Sequence, residues 1–225
     1  MEKIAVVKLV EFNRKKTPRG QKTLVDKFKV PQPINPDGGG DYWISALSSI
    51  ASSFQLADNG PIAEKIDILI DKIENASTKQ VKNMFQANLN ILNHYENFDF
   101  ANIRPNAPLT FLKKPKAKSI VALKGLPIHA KPSHVYTYEE NGKKRIGAMW
   151  FVAKLNGFRP DELVLFTDIL FRYLDINYGD KYQISEQNCT AVDVTTTNPI
   201  PYLQIHNGEI QSPLLATITS IKKLM

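Results

Sequence analysis

Asp193 is the side chain in this sequence with the clearest chemical interest. It lies in the segment CTAVDV, residues 189–194, which is otherwise largely apolar. A carboxylate in an apolar strand is costly unless it is paired. Asp193 could pair with Lys154, or it could lie at the end of the strand in contact with water. If the protein is a catalyst, Asp193 together with Lys154 and Glu139 is the first set of residues to test.

The serine, histidine and cysteine side chains offer less. Ser133 and His134 are adjacent, and neighbours on a strand point to opposite faces, so they make a poor nucleophile–base pair. The four histidines are scattered, and the spacing of His129 and His134 matches no common zinc motif. Cys189 is the one cysteine. It excludes an intramolecular disulfide and a cysteine-rich zinc site, and it fits a reducing cytoplasm.

Charge is distributed in blocks along the chain. Residues 1–31 contain nine basic and three acidic residues, residues 32–103 four basic and nine acidic, and residues 104–131 seven basic and no acidic ones. Basic segments attract polyanions such as nucleic acid by releasing counterions. The alternative is that lysine-rich loops only keep the protein soluble. The side chains that we expect to contact nucleic acid are Arg14, Lys15, Lys16, Arg19, Lys113, Lys114, Lys116, Lys118 and Lys131.

The first half of the chain predicts a strand, a loop and a helical block. Residues 3–12 are rich in β-branched residues and predict a strand, whereas the basic and then Pro- and Gly-rich residues 13–40 predict a loop or mobile arm. Asp41 can cap a first helix, and Pro61 suits the first turn of a second. The apolar stripes that follow fit either one long helix or a helical hairpin.

The second half predicts a β-hairpin, a helix and a strand in that order. Asn141-Gly142 is a strong signal for a two-residue turn, because both positions tolerate positive φ. The other predicted elements are strands at 119–124, 128–138, 145–155 and 189–194, an edge strand at 202–206, a helix from Pro160 to Gly179 and a last helix from Ser212. This order indicates an α/β or α+β fold with a central mixed sheet and flanking helices. We expect one domain over 1–225, with a helical subdomain at 41–100 and an α/β core at 105–225.

Two short segments decide how this core is interpreted. Lys131-Pro132-Ser133 and Val152-Ala153-Lys154 fall on the two strands of the predicted hairpin. In this order of elements, residues 119–194 resemble the core of the restriction-endonuclease-like, or PD-(D/E)XK, superfamily. In that family, Pro-Asp on one strand and Glu-x-Lys or Asp-x-Lys on the next supply two carboxylates for Mg²⁺ and a lysine that helps to position water.

The chain departs from this pattern at both carboxylates. Ser133 stands in the aspartate position and Val152 in the glutamate position, so only Lys154 matches. Serine and valine cannot replace two hard oxygen ligands. The resemblance therefore implies a nuclease-like fold that has lost the usual metal-dependent cleavage.

Three hypotheses for function follow. The first is a catalytically degenerate, nuclease-like protein that acts as a nucleic-acid-binding or accessory component, without a cofactor, in a bacterial mobile-element or antiviral defence system. The second is a Mg²⁺-dependent nuclease whose carboxylates have migrated to Asp193 or to the acids of the helix after the hairpin. The third is a protein-interaction module whose acidic block, 58–99, docks a basic partner. Since no apolar run approaches the roughly 18 residues of a membrane helix, we expect a cytoplasmic protein without a membrane partner.

Overall fold

Helices and strands alternate along the chain, and the computed structural model describes residues 3–30, 42–113 and 119–225. The helices are α1 Val6–Arg14, α2 Pro18–Lys29, α3 Ile44–Leu56, α4 Gly60–Glu74, α5 Lys79–Tyr95, α6 Pro160–Tyr178, α7 Tyr202–His206 and α8 Leu214–Lys223. The strands are β1 Ile4–Ala5, β2 Thr110–Phe111, β3 Ile120–Leu123, β4 Leu126–His129, β5 His134–Glu140, β6 Lys143–Val152, β7 Gln183–Asp193 and β8 Asn198–Pro201. A 3₁₀ turn, Phe100–Ile103, follows α5.

The strands form two mixed sheets. The larger sheet has the order β2-β5-β6-β7-β8, in which β6 and β7 are parallel and α6 connects them. Its other neighbouring strands are antiparallel. The smaller sheet has the order β1-β4-β3, with β1 parallel to β4. The protein therefore has the mixed α/β architecture, with sheets and flanking helices, that its sequence predicts.

The turn of the β5–β6 hairpin and the helix after it form where they are predicted, but the single strand expected at 128–138 is divided into the end of β4, in the smaller sheet, and the start of β5, in the larger one. Asn141 and Gly142 have φ of 52° and 72°, the left-handed values that a tight two-residue hairpin turn requires. α6 begins at Pro160, where the missing N–H of proline costs no helical hydrogen bond. These features were predictable because each depends on a few neighbouring residues.

The N-terminal predictions are wrong. The strand expected at 3–12 is reduced to β1, and α1 and α2 occupy most of the segment expected to be a loop or arm as far as residue 30, while residues 31–41 lie outside the described part of the chain. Thr17 caps α2 by accepting a hydrogen bond from the N–H of Gly20. The physical reason for both helices is burial, because each turns an apolar stripe inwards. The buried residues are Val6, Leu9, Val10 and Phe12 in α1 and Leu24, Val25 and Phe28 in α2.

The edge strand expected at 202–206 is also wrong, because this segment is α7. Its first residue, Tyr202, stacks on Phe171 of α6 with 3.7 Å between ring centroids. The sheet edge is formed instead by β8, whose Pro199 and Pro201 lack an N–H to donate, as suits an edge strand. In the helical block, α4 and α5 are separate helices, so the helical hairpin is correct and the single long helix is not.

Both faces of the larger sheet are covered, as the apolar run of β6 predicts. Residues 146–152 are all buried. One face, through Ala148 and Trp150, packs in a cluster with α6, α1 and α8. The other face, through Tyr136 and Phe151, packs against the helices α3–α5. The helical insert therefore lies against the same sheet that carries the candidate catalytic residues.

β7 contains a long bulge, residues 185–188, opposite the middle of β6. Ile146 pairs with Ile184 and Ala148 with Cys189, so residues 185–188 of β7 lie opposite the single residue Gly147. A Cβ atom on Gly147 would lie 2.7 Å from the carbonyl oxygen of Asn188 and 2.9 Å from Cε2 of Tyr136. The bulge therefore requires glycine at this position of β6.

We expect Gly147→Ala to lower the free energy of unfolding by about 1–3 kcal/mol, the usual cost of overpacking. The measurement is urea denaturation followed by circular dichroism. Gly60→Ala is a matched control, because a Cβ there would approach only the side chain of Asp58, at 2.8 Å. That exposed side chain can rotate away, so the control should be nearly neutral. Equal stability of the two variants would contradict a bulge fixed by backbone contact.

Candidate functional site

The ends of the parallel strands β6 and β7 bring together most of the nuclease-like positions. Val152 and Asp193 are register partners in the sheet. The hydroxyl of Ser133 accepts a hydrogen bond from the N–H of Phe151 at 3.0 Å, so it lies beside them, and Lys154 follows two residues after Val152. In open sheets, the carboxyl ends of parallel strands are the usual place for a site.

The carboxylate of Asp193 is fully buried and holds the backbone around it. Its Oδ2 accepts a hydrogen bond from the N–H of Phe158 at 2.6 Å. Its Oδ1 accepts from the N–H of Thr195 at 3.0 Å and from the hydroxyl of Thr195 at 2.7 Å. Gly157, with φ of 67°, allows this approach, because a Cβ there would lie 2.9 Å from Oδ2. Asp193 therefore joins the loop before α6 to the turn after β7.

The expected pairing of Asp193 with Lys154 is not formed. Among the residues that the structure describes, no ion pair joins the two side chains. The carboxylate accepts hydrogen bonds from Phe158 and Thr195 instead. Lys154 is half-buried, and its carbonyl oxygen accepts a hydrogen bond from the N–H of Gly157 at 2.9 Å. Neither alternative proposed for Asp193, a pair with Lys154 or contact with water, is found, because the side chain is buried and its partners are backbone and hydroxyl donors.

Glu139 does not join Asp193 and Lys154. It is exposed near the turn of the hairpin, where its register partner is Lys144. Val152 lies eight positions after Lys144 in β6, which corresponds to about 26 Å along a strand. The structure therefore does not bring the three candidates together, and a catalytic role for any of them stays a prediction.

Ser133 and His134 make different contacts, although Ser133 lies just before β5 and His134 is the first residue of that strand. Nε2 of His134 lies 2.8 Å from the carbonyl oxygen of Ala51 in α3, and its ring stacks on Phe54, whereas Ser133 contacts the backbone of β6. The two side chains serve different contacts and do not form a nucleophile–base pair.

The acids of α6 are more buried than their sequence positions indicate. Asp168 is buried, pairs with Arg172 four residues later at 2.7 Å and also accepts a hydrogen bond from the hydroxyl of Ser212 at 2.5 Å. Glu162 is 1 % exposed, and both of its oxygens lie 2.6 Å from the guanidinium of Arg14. Burial alone would raise the pKa of Glu162, but hydrogen bonds from Arg14 and from the N–H of Arg159 outweigh it and lower that pKa below its ordinary value.

Arg14 is therefore not part of a mobile basic arm. Its guanidinium bridges α1 to the start of α6, and Nη2 also donates to the carbonyl oxygen of Gly157 at 3.2 Å. The hydrogen bond to Glu162 raises the pKa of Arg14, so the pair is fully ionised at neutral pH. The other predicted nucleic-acid residues of this segment, Lys15, Lys16 and Arg19, are exposed where α1 turns into α2.

α1 and α2 enclose a groove that collects positive charge. It consists of two adjoining depressions of about 490 and 360 Å³ that share Lys8, Leu24 and Lys27 as lining residues. The cations that line it are Lys3, Lys8, Lys15, Arg19 and Lys27, and the acid is Glu11. We call this surface the basic groove. Sequence reasoning placed Lys15 and Arg19 in a loop and did not single out Lys3, Lys8 or Lys27, because the groove exists only once both helices form.

Lys131, in the second basic segment of the sequence, lies two residues after the end of β4, the strand that pairs with β1 beside the groove. β1 pairs with β4 so that Ala5 lies opposite His129. Burial lowers the pKa of His129 first, and the positive charges of Lys3 and Lys131 lower it further. Both lysines are therefore close to one imidazole. Lys113 is exposed at the end of a described segment, and Lys114, Lys116 and Lys118 lie outside the described residues.

Comparisons with family models, curated proteins and solved structures found no match to this chain. Within residues 3–30, 42–113 and 119–225, no group of three histidine, cysteine or acidic side chains is arranged to hold a metal ion. In the same residues, every helix is too short or too polar to cross a membrane. We therefore infer function from the geometry of the chain itself.

Proposed function

We propose that this protein binds the phosphate backbone of nucleic acid along the basic groove, as a nuclease-like protein without the usual metal-dependent cleavage. The observation that carries the proposal is the lining of the groove, which among the described residues contains five lysine and arginine side chains and one carboxylate, that of Glu11. Such an excess of cations along one surface is the electrostatic footprint of a polyanion-binding protein.

The geometry of the groove supports contact with the phosphate backbone of a nucleic acid. Lys8, Arg19 and Lys27 project from two helices whose apolar sides are buried in the core, so the fold holds their spacing. Lys3 lies just before β1 and Lys15 just after α1. Lys8 pairs with Glu11 at 2.8 Å, and within the described part of the chain the other lining residues carry no acid. Lysine and arginine on a surface of this kind contact phosphates and leave the base edges unread. We therefore expect binding with little sequence preference.

The site at the ends of β6 and β7 supports the second part of the proposal. Ser133 and Val152 occupy the positions where the resemblance expects carboxylates, and Ser133 is engaged with the backbone of β6. The nearby carboxylate of Asp193 has both oxygens engaged by Phe158 and Thr195. If Asp193 bound a metal ion, the loop before α6 would lose the hydrogen bond from Phe158 that holds it in place.

Binding to a short DNA duplex should weaken steeply with salt. If about four cations of the groove contact phosphates, the slope of log K against log salt concentration is about −3.6, and the affinity falls about 150-fold between roughly 50 and 200 mM salt. The measurement is fluorescence anisotropy of a labelled duplex across that range, repeated with single-stranded DNA and RNA. No binding even at about 20 mM salt would contradict the proposal.

A double variant locates the surface. Lys15→Ala/Arg19→Ala removes two exposed cations of the groove and should weaken binding at least tenfold, with a slope less negative by about 2. Lys143→Ala/Lys144→Ala is the matched control, because it removes the same charge from exposed positions at the tip of the β5–β6 hairpin. Equal losses in the two variants would assign the binding to net charge and not to the groove.

A further inference from the structure

Arg104 is a half-buried cation without a described counterion. It lies after the 3₁₀ turn, where the helical insert returns to the larger sheet. Its Nη1 donates hydrogen bonds to the carbonyl oxygens of Phe54 and Gln55, and the guanidinium lies 5.2 Å from the centroid of the Phe54 ring. Among the described residues, no carboxylate forms an ion pair with Arg104, and its Nε and Nη2 make no hydrogen bond. Part of a planar donor group is thus left available.

Two carbonyl oxygens and the ring of Phe54 compensate the burial of this cation only in part. Desolvation by burial lowers the pKa of Arg104. A desolvated charge is costly unless an opposite charge or further hydrogen bonds accompany it. A bound anion would supply both, because the guanidinium presents paired N–H groups that match the oxygens of a carboxylate or phosphate.

A depression of about 220 Å³ opens beside Arg104 at the bulge of β7. The bulge contributes Gln187 and Asn188 to its wall, and Asn102 and Thr190 add an amide and a hydroxyl. Its remaining lining residues are Ile103, Pro105, Pro199 and Pro201, so no acid lines it. The nearby acid of the bulge, Glu186, is engaged with Nδ1 of His206 at 2.9 Å.

The walls of this depression are held in place by the bulge itself. The side-chain amide of Asn188 donates to the hydroxyls of Tyr138, at 2.8 Å, and Ser185, at 3.0 Å. The hydroxyl of Thr190 donates to the carbonyl oxygen of Gln187 at 3.1 Å. A larger depression on the other side of Arg104 includes Asp58 and Asp99 in its lining. An anion is therefore favoured at the bulge and disfavoured on the opposite side.

We infer that the depression at the bulge binds a small oxyanion, a carboxylate or a phosphate, held by Arg104 with help from the side-chain amides of Asn102 and Gln187. Its volume is below the roughly 300–1,000 Å³ of sites for drug-sized ligands. It therefore fits a small anion or the anionic group of a larger molecule. This site is separate from the basic groove and does not depend on nucleic-acid binding.

The test is a titration of the intact ¹⁵N-labelled protein with sodium phosphate and, separately, with sodium acetate at constant ionic strength, followed by NMR. We expect saturable shifts of the Arg104 Nε–H and of the side-chain amides of Asn102 and Gln187. The stronger response identifies the preferred anion. Shifts confined to α1 and α2, or no saturable shift with either anion, would overturn the inference.

Two variants keep the test independent of folding. Gln187→Glu places a negative charge in the wall at an exposed position and should weaken anion binding at least tenfold without unfolding the chain. Arg104→Gln should abolish binding, whereas Arg159→Gln, at a 62 % exposed arginine, should leave it unchanged. If Arg104→Gln fails to fold, Gln187→Glu decides. Unchanged binding in Gln187→Glu would refute the site.

Discussion

Asp193→Ala is expected to lower the free energy of unfolding by about 3–5 kcal/mol. The substitution leaves the N–H groups of Phe158 and Thr195 without their acceptor in a fully buried place. Hydrogen bonds to a charged group contribute about 1.5–3 kcal/mol each, and an unsatisfied buried donor costs about 1–3 kcal/mol. Because the contacts share one side chain, their effects do not simply add. In a chain of this size the melting temperature should fall by about 10 °C.

The matched control for this prediction is Glu139→Ala. Glu139 is the other carboxylate of the expected catalytic set, but it is exposed, so its removal should change stability by less than about 0.5 kcal/mol. Urea denaturation of both variants makes the comparison. Similar effects of the two substitutions would contradict the anchoring role of Asp193. Any test of nuclease activity with Asp193→Asn must be made well below the melting temperature of the variant, since unfolding alone would abolish cleavage.

Arg14→Ala is expected to cost about 2–3 kcal/mol at pH 7 and progressively less in acid. Removing Arg14 leaves the buried carboxylate of Glu162 without its bidentate partner. Breaking a fully buried pair costs about 3–5 kcal/mol, and the smaller figure applies here because the side chain of Arg14 is 35 % exposed. The backbone N–H of Arg159 continues to stabilise Glu162 in the variant.

The direction of the pH dependence follows from the pKa of Glu162. This pKa is lower in the folded protein than its ordinary value of 4.5. The ion pair therefore contributes its full stability above pH 4.5 and loses it as the pH falls through the lower, folded value. The difference in stability between the wild type and Arg14→Ala should narrow over the same range. Chemical denaturation at a series of pH values from neutral to acid measures it.

Arg159→Ala separates the ion pair from general surface charge. Its guanidinium also reaches Glu162, at 3.2 Å, but the side chain is 62 % exposed. We expect a cost below about 1 kcal/mol, the usual range for exposed pairs. A pH-independent difference for Arg14→Ala, or an equal cost for Arg159→Ala, would show that the buried pair is not the cause.

The parts of the fold that the sequence predicts are those with local signals. Asn141-Gly142 and Pro160 favour a turn and a helix start whatever surrounds them. Residues 3–12 carry no such signal, because a run of valine, isoleucine and leucine suits a strand and a buried helix equally. Contacts of α1 with α6 and α8 decide in favour of the helix, and those partners lie far along the chain.

The candidate site was predictable only in part for a related reason. The cost of burying Asp193 is visible in its apolar neighbours, so the sequence predicts either a partner for the carboxylate or contact with water. Its actual partners include backbone N–H groups of a loop, and every residue except proline has such a group. The cations of the basic groove are likewise ordinary in sequence. Only the packing of two helices places Lys3, Lys15 and Lys27 along one surface.

The distant contacts of α1 and β1 determine when these elements can pack during synthesis on the ribosome. Arg14 is joined to Glu162 across 148 residues, and Asn13 to Thr217 across 204. β1 pairs with β4, more than half the chain away. α1 is therefore synthesised well before the segments against which it packs, and such distant contacts slow folding. Until residues 160–223 have also emerged, the apolar side of α1 lacks its partners in α6 and α8 and is available to chaperones.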